Sequence, residues 1–395
     1  MTKQSRNIQA GGRLITILSI SAVGGLALAV TSVIPKWAQE FPQLPLAAIE
    51  LLVTLANLGA LITLLFNPWL TRRWGSKRVI LVGLLLGAGA GCLPVWLRSY
   101  GAIAVSRFLL GLGLGLYAPH GISLIVHHYQ GAQQTRLLGY QTGIGALGST
   151  MIMLLVGALA SRNWRWVFWI HGLLLLVALA VGRFLPPDRP QSVAPVVRTP
   201  LPRSAWWLIL LTFWTYLVIW GVQLKLPSLF SEKGFGGAQV TSLTLALMNL
   251  GGFAAGMLFG RSYRRWGRHV LTAGYMTAAV TVLGLLLSPN QGLAIMAAVG
   301  FNFVYSFTGP YLVVRSQQGL APNQVEEMSS YLTIVTIVSA FLAPIWWNLL
   351  GEIGWGPLTQ NVLVWVITML LLLALIVALV QSQQRRIKRV NRPRA

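Results

Sequence analysis

Apolar residues run along this chain in twelve long blocks separated by short polar connectors. A membrane-crossing helix rises about 1.5 Å per residue and needs about 20 apolar residues to span the hydrocarbon layer. The first six blocks, Leu14 to Ile34, Ala47 to Leu70, Val79 to Leu97, Ala102 to Val126, Leu137 to Ala160 and Trp166 to Leu185, each come close to that length or exceed it. The second six, Trp206 to Leu226, Val240 to Phe259, Val270 to Leu287, Leu293 to Val314, Ser329 to Leu350 and Val362 to Val380, do the same. The pattern predicts an all-α polytopic membrane protein.

The blocks are also related in pairs. Thr71-Arg72-Arg73-Trp74-Gly75 returns as Tyr263-Arg264-Arg265-Trp266-Gly267, a displacement of 192 residues (264 − 72), and each copy lies between two apolar blocks. The same displacement carries Pro35, Glu40, Asn57, Leu58 and Gly59 onto Pro227, Glu232, Asn249, Leu250 and Gly251. Two six-helix bundles, residues 14–185 and 206–380, are therefore expected. They are preceded by a short segment, 1–13, joined by a Pro- and Arg-bearing connector, 186–205, and followed by a basic tail, 381–395. Duplication of this kind is common in secondary transporters.

Composition supports a lipid solvent. With 55% hydrophobic and 9% charged residues and a mean hydropathy of +0.68, a soluble fold would have too little interior for its apolar side chains. The net charge of +23 does not point to nucleic acid, because the Lys and Arg sit in connectors and at the termini rather than on one polar domain. Cys92 is the single cysteine, which rules out an internal disulfide framework. Ala27-Leu28-Ala29 could imitate a signal-peptide cleavage site after Lys3, Arg6 and Arg13, but the apolar run continues to Ile34 and is long enough to span.

Charge also orients the spans. Basic residues crowd alternate connectors: Lys3, Arg6 and Arg13; Arg72, Arg73, Lys77 and Arg78; Arg136; Arg183, Arg189, Arg198 and Arg203; Arg261, Arg264, Arg265 and Arg268; Arg315; and the tail from Arg385 to Arg394. The intervening connectors hold Lys36, Arg98, Arg162, Arg165 and Lys233. The positive-inside rule then places both termini and the central connector in the cytoplasm, in a protein integral to the plasma membrane. Trp69, Trp74, Trp96, Trp164, Trp206, Trp207, Trp346 and Trp355 cluster near predicted helix ends, where an amphipathic indole can sit among headgroups.

Three motifs give this layout a family likeness. After the second block, Leu70, Arg73, Gly75 and Lys77 fit a Gly-x-Leu-x-Asp-Arg-x-Gly-Arg-Lys pattern, with Pro68 in the first Gly position and Arg72 in the Asp position. In the second half Gly260, Arg265, Gly267 and Arg268 fit, while Arg264 again replaces the acid. Ile103, Arg107, Gly111 and Gly113 match a fourth-helix Leu-x-x-x-Arg-x-x-Gln-Gly-x-Gly pattern, with Leu110 in place of Gln. Gly139, Gly143 and Gly148 match part of a fifth-helix antiporter pattern, in which Ile144 replaces Pro and Leu147 replaces Gly. Over essentially its whole length the chain resembles the major facilitator superfamily. That resemblance implies a permease without enzymatic activity, a cavity lined mainly by helices one, four, seven and ten, and basic loops that help lock the conformation. The missing acid leaves that lock without its usual partner, unless Glu326, Glu327 or Asp188 supplies one. Arginines at such turns can also bind helix C-terminal carbonyls or anionic lipid headgroups.

Candidate chemistry concentrates on few residues. Arg107 lies inside an apolar span, where a charge costs about 2.5 to 3.5 kcal/mol on insertion scales and normally faces a polar cavity or an acid such as Glu50. Lys225 lies in the seventh block, where it either contacts substrate or snorkels to the outer interface as Lys36 can. Asn57 and Asn249, related by the duplication, need partners mid-span, across helices or in a cavity. Tyr140, Gln141, Gln223, Asn302 and Tyr305 are further polar candidates. For proton coupling the titratable choices are Glu50 and His120, the latter equally able to be a hydrogen-bonded structural residue. His127 and His128 lack metal-ligand spacing, so no metal is expected, and without a Gly-Lys-Ser/Thr phosphate loop no cofactor or ATP drive is expected either. With embedded charge zero to positive, a small organic solute that is anionic or neutral is favoured over a lipophilic cation. The expected function is proton-coupled secondary transport. The fourth- and fifth-helix motifs resemble those of exporters, and an importer of small organic anions of the cyanate-permease type is the alternative. A different class would be a lipid scramblase that does not couple to a gradient, which gradient dependence of transport would discriminate, or a membrane-embedded enzyme, which would need paired carboxylates, a Ser/His pair or a metal cluster in the membrane, none of which the sequence suggests.

Overall fold

The computed structural model describes residues 3–186 and 201–390. Among the described residues there is no strand, and twelve helices are long and apolar enough to cross a membrane. They are α1 (Gly11–Glu40), α2 (Leu46–Trp74), α3 (Ser76–Val95), α4 (Tyr100–His128), α5 (Gly131–Arg162), α6 (Trp164–Phe184), α7 (Ala205–Glu232), α8 (Ala238–Trp266), α9 (His269–Leu287), α10 (Gln291–Gln317), α11 (Gln324–Gly351) and α12 (Leu358–Gln383). Each coincides with a predicted apolar block. Most reach further at their ends, because backbone hydrogen bonding continues where side chains turn polar.

The termini show the same effect. Helix begins at Lys3, ahead of the first block, and the last helix continues to Val390, so residues 381–390 of the basic tail prolong α12. The connector residues 187–200, Asp188 among them, and the last residues, 391–395, lie outside the described residues.

The chain divides into two compact units. The first comprises Met1–Val197 with Gly236–Ala246 and Ala340–Ile345, and the second comprises Arg198–Phe235, Leu247–Ser339 and Trp346–Ala395.

In the first unit α4 is held between α2 and α3, and glycines set both distances. A Cβ added to Gly111 would collide with the Ala56 carbonyl, and one added to Gly115 would meet Ala60 and Thr63 of α2. On the opposite side of α4, a Cβ on Gly113 would lie 2.6 Å from the Gly83 carbonyl and 2.7 Å from the Gly87 nitrogen of α3. Small residues at this spacing let backbones approach closely where lipid offers no hydrophobic force between helices. Gly148 does the same for α5 against Ala22 of α1, so the glycine of the partial antiporter motif is a packing residue here.

Several spans leave regular α geometry, among them α6, which opens with 3-10 helix over Trp164–Gly172, and α10, which is interrupted between Tyr305 and Thr308. α1 passes through 3-10 turns at Gly24–Ala27 and Ala29–Val33, and α4 pauses between Tyr117 and His120, at Pro119. Irregular backbone at membrane depth is tolerated only where protein or a cavity satisfies it. In the second unit, α9 lies against α10 and α12 through a stripe that includes Gly274, Tyr275, Ala278, Val282 and Leu285. Of the predicted anchors, Trp69, Trp74, Trp96, Trp206, Trp207, Trp346 and Trp355 are exposed, as an indole at the headgroup level must be.

The glycine seam makes a direct prediction. Gly111→Val would force α4 away from α2, an overpacking that costs about 1 to 3 kcal/mol or more, and thermal unfolding in detergent should show a markedly lowered midpoint. Gly89→Ala, where an added Cβ meets nothing within 4 Å, should leave the midpoint unchanged or slightly raised, because Ala is the better helix former.

Candidate functional site

Arg107 is 0% exposed in α4. Its Nε donates to the Leu52 carbonyl of α2 at 3.0 Å, and its Nη2 donates to the Ala27 carbonyl of α1 at 2.6 Å. Ala27 ends the first 3-10 turn of α1. Internal hydrogen bonds are poorer in 3-10 geometry, so a carbonyl there benefits from an external donor. The guanidinium therefore clasps α1 and α2 with two of its nitrogens while Nη1, also buried, has no hydrogen-bond partner among the described residues. An arginine has five N–H donors in a fixed fork, and this one keeps part of the fork uncommitted.

His171 of α6 is also fully buried. Its Nδ1 donates to the Phe168 carbonyl at 3.0 Å. Its Nε2 has no partner within hydrogen-bond geometry among the described residues. A Cβ on Gly91 would lie 2.6 Å from the His171 Cβ, so α3 must present glycine for the imidazole to fit. Glu50, fully buried in α2 two residues before Leu52, is engaged in an interaction of its own.

Below Arg107 the α2–α4 seam carries a series of polar ties. Thr63 Oγ1 donates to the Leu112 carbonyl at 2.9 Å. Asn67 Nδ2 donates to the carbonyls of Gly115 and Leu116, both at 2.8 Å. Thr71 Oγ1 donates to Asn67 Oδ1 at 3.0 Å and lies 3.3 Å from Nε2 of His120. The two carbonyls that Asn67 satisfies fall just before the Pro119 interruption, where a missing backbone N–H would otherwise weaken the α4 ladder. His120 is thus held at the base of the seam. Asn57 and Asn249, expected to bond across helices or line a cavity, are half-buried and make no side-chain hydrogen bond among the described residues. The amide that does the bridging is Asn67.

The second unit has its own buried cation. Lys225 of α7 does not snorkel: it is 0% exposed, and its Nζ donates to Asn348 Oδ1 of α11 at 2.9 Å. Lys36, by contrast, is exposed. Asn302 Nδ2 donates to the Met248 carbonyl of α8 at 2.5 Å. Tyr305 donates to the Thr215 carbonyl of α7, and Thr215 Oγ1 pairs with the Tyr275 hydroxyl of α9 at 2.5 Å. Asn302 and Tyr305 therefore tie α10 to α8 and α7. Gln223 and Gln141 are half-buried, and Tyr140 is exposed, its hydroxyl accepting from Arg136 Nε at 2.7 Å. His171, Asn67, Thr215 and Tyr275 were not singled out from sequence, because a neutral polar residue in an apolar block does not reveal which helix it faces.

The duplicated loops share one backbone device. Gly75 and Gly267 have φ of 81° and 49°, and their N–H groups donate to the Thr71 and Tyr263 carbonyls at 2.9 and 2.8 Å. Both are glycine helix terminations with left-handed φ that other residues adopt at a cost. Around the first, Arg72 Nε donates to the Pro68 carbonyl at 3.2 Å, Arg73 lies 5.6 Å from the Trp69 ring centre, and Lys77 Nζ donates to the Gly182 carbonyl near the end of α6 at 2.8 Å. Arg264 and Arg265 are exposed, and Arg268 is half-buried.

A family model described as Major Facilitator Superfamily matches residues 14–344. The 3-(3-hydroxy-phenyl)propionate transporter of Escherichia coli (strain K12) is 27% identical over 250 residues, 59% of this chain and 60% of that protein. The putative niacin/nicotinamide transporter NiaP of Bacillus subtilis (strain 168) is 26% identical over 264 residues, 60% of this chain and 65% of its own length. Less than two thirds of either relative is thus spanned. Among solved structures, a bacterial homolog of the human lysosomal transporter Spinster, inward-facing and unoccupied, superposes with a TM-score of 0.73 at 16% identity, covering 96% of each chain.

The two amides of α2 should behave differently. Asn67→Leu removes two hydrogen bonds to buried carbonyls and should cost about 1 to 3 kcal/mol, whereas Asn57→Leu should change stability by less than about 0.5 kcal/mol. Unfolding midpoints of the two variants, measured in the same detergent, test the difference.

Proposed function

The chain belongs to the Major Facilitator Superfamily, and on that premise we propose that this integral multi-pass secondary transporter moves a small organic solute, anionic or neutral, by alternating access coupled to protons. The observation that carries the proposal is the fully buried Arg107 with one guanidinium nitrogen that has no hydrogen-bond partner among the described residues. A buried cation with spare donors favours a carboxylate or a strongly accepting neutral group and repels a lipophilic cation. The names of the two bacterial relatives point the same way, one a substituted propionate and the other niacin or nicotinamide.

Proton coupling requires a titratable group that senses the same charge. Glu50, buried in the helix that Arg107 clasps, is the leading candidate; His120, fastened to Thr71, is the lesser one. Lys225 with Asn348, together with Gln223, Asn302 and Tyr305, provides the polar groups that the second unit would bring to the cycle. Tyr140, Gln141, Asn57 and Asn249 are the remaining candidates for solute contact. The arginines near Gly75 and Gly267 would meet anionic lipid headgroups and restrain the connectors, with both termini in the cytoplasm of a plasma-membrane protein. The bundles 14–185 and 206–380 would be the moving halves.

Export is the favoured direction, on the fourth-helix glycine and arginine pattern. Import of small organic anions is the second reading, favoured by Ile144 and Leu147, which break the antiporter pattern of α5.

Proteoliposomes under an imposed pH gradient, with internal pH recorded during addition of aromatic carboxylates, neutral amides and lipophilic cations, provide the test. Carboxylates or amides should trigger proton flux, and Arg107→Ala should lower it at least about tenfold, the loss of one charge-assisted contact. Glu50→Gln should abolish proton-coupled movement and retain solute exchange. Flux with cations alone would overturn the solute class, and full coupling in Glu50→Gln would remove Glu50 from the mechanism.

A further inference from the structure

Of the seven acidic residues in the chain, two occupy equivalent places: Glu40, at the end of α1, and Glu232, at the end of α7, stand apart by the repeat displacement of 192 residues (232 − 40). Both lie at the end of their unit opposite the Gly75 and Gly267 turns. Each carboxylate accepts from the second residue of the sixth helix of its own half. Arg165 Nη2 of α6 donates to Glu40 Oε1 at 2.6 Å, and Thr359 Oγ1 of α12 donates to Glu232 Oε1 at 2.6 Å. A carboxylate at a helix N-terminus also meets the positive end of the helix dipole.

The end of the third helix is drawn into the same contact. Arg165 Nη1 donates to the Leu97 carbonyl, just past α3, at 2.7 Å, and the guanidinium lies 4.4 Å from the centre of the Trp164 ring. In the second unit the cation comes from the other partner. Lys233, next to Glu232, donates through Nζ to the carbonyls of Leu286 and Ser288 at the end of α9, at 2.5 and 3.1 Å. The last carbonyls of a helix have no partner within it, and a cation suits the negative end of the dipole. At the opposite boundary the third and sixth helices are tied again, by Lys77 to the Gly182 carbonyl and by Gln381 to the Arg268 carbonyl. What Glu40 and Glu232 add is the first helix of each half.

We infer that each half carries a staple that makes the ends of its first, third and sixth helices one body at this boundary. Arg165 alone joins all three in the first unit, whereas in the second Glu232 holds α12 to α7 and Lys233 holds α9 to α7. The two halves reach the same restraint with differently divided chemistry. During transport the end of α1 or α7 would then travel with its two partners rather than bend by itself. That consequence rests on the alternating-access reading, and the staple does not.

Hydrogen–deuterium exchange of the purified full-length protein in detergent tests the staple, read by mass spectrometry at residues 34–41, 93–97 and 164–170 of the first unit and 228–234, 284–288 and 358–363 of the second. Arg165→Gln should speed exchange about threefold at all three segments of the first unit, the loss expected of a partly exposed ion pair, and leave the second unit unchanged. Glu40→Gln should do so at 34–41 and 164–170 and spare 93–97. Glu232→Gln and Thr359→Val should both loosen 228–234 with 358–363, and Lys233→Gln should loosen 228–234 with 284–288. Arg162→Gln, exposed at the same boundary, should alter none of them. A response to Arg165→Gln confined to 164–170, or one pattern shared by Glu232→Gln and Lys233→Gln, would overturn the staple. So would an equal response to Arg162→Gln, which would mark a general effect of charge. No solute enters this measurement, so a failure of the transport reading leaves its outcome intact.

Discussion

A cation held in a medium that cannot solvate it is the constraint around which the first unit is built. Arg107 is fully buried, and a guanidinium without partners at membrane depth would carry a penalty of several kcal/mol. Two backbone carbonyls, of Leu52 and Ala27, meet part of that demand. One of them lies in the 3-10 stretch of α1, so the irregularity of α1 and the burial of Arg107 support each other. Changing either leaves polar groups exposed to hydrocarbon. The same contact fixes α4 against α1 and α2 at the level where His171 and Glu50 are also buried, and it leaves one guanidinium nitrogen for further use.

Close approach of helices makes this clasp geometrically feasible. Gly111 and Gly115 set α4 on α2, and Gly113 sets it on α3. With backbones this near, short side chains such as Thr63 and Asn67 reach carbonyls of the neighbouring helix. In the interior of α4, the first helical turns after the clasp are therefore specified by glycine on one side and hydrogen bonds on the other. Below them Pro119 interrupts the helix, and His120 is held by Thr71, next to the turn that Gly75 makes.

The duplication supplies a shared scaffold and leaves the chemistry unequal. Both loop glycines keep a positive φ and the same hydrogen bond, because a helix that must end abruptly at the membrane boundary needs that conformation in either half. Their buried cations do not correspond: at the displacement of 192, Val299 stands opposite Arg107 and Val33 opposite Lys225. Arg107 is held by backbone carbonyls, whereas Lys225 donates to a side-chain amide. One arrangement resists substitution of its partners, since every residue has a carbonyl; the other includes a side chain, Asn348, that a substitution can remove.

The amino-acid sequence by itself determined the twelve spans, the repeat, the family resemblance and the presence of a charge, Arg107, inside an apolar span. Each rests on a property that is local in the chain: about 20 apolar residues in succession, a repeated string, or one charge in an apolar run. Tertiary structure decided what that charge touches, because backbone carbonyls have no signature in sequence. It also decided that Asn67 rather than Asn57 bridges α2 and α4 and that Lys225 turns inward. These depend on which face of a helix meets which neighbour. In helices that are apolar on every side, amphipathic periodicity is too weak to reveal the face, and only the packing of glycines against backbones fixes it.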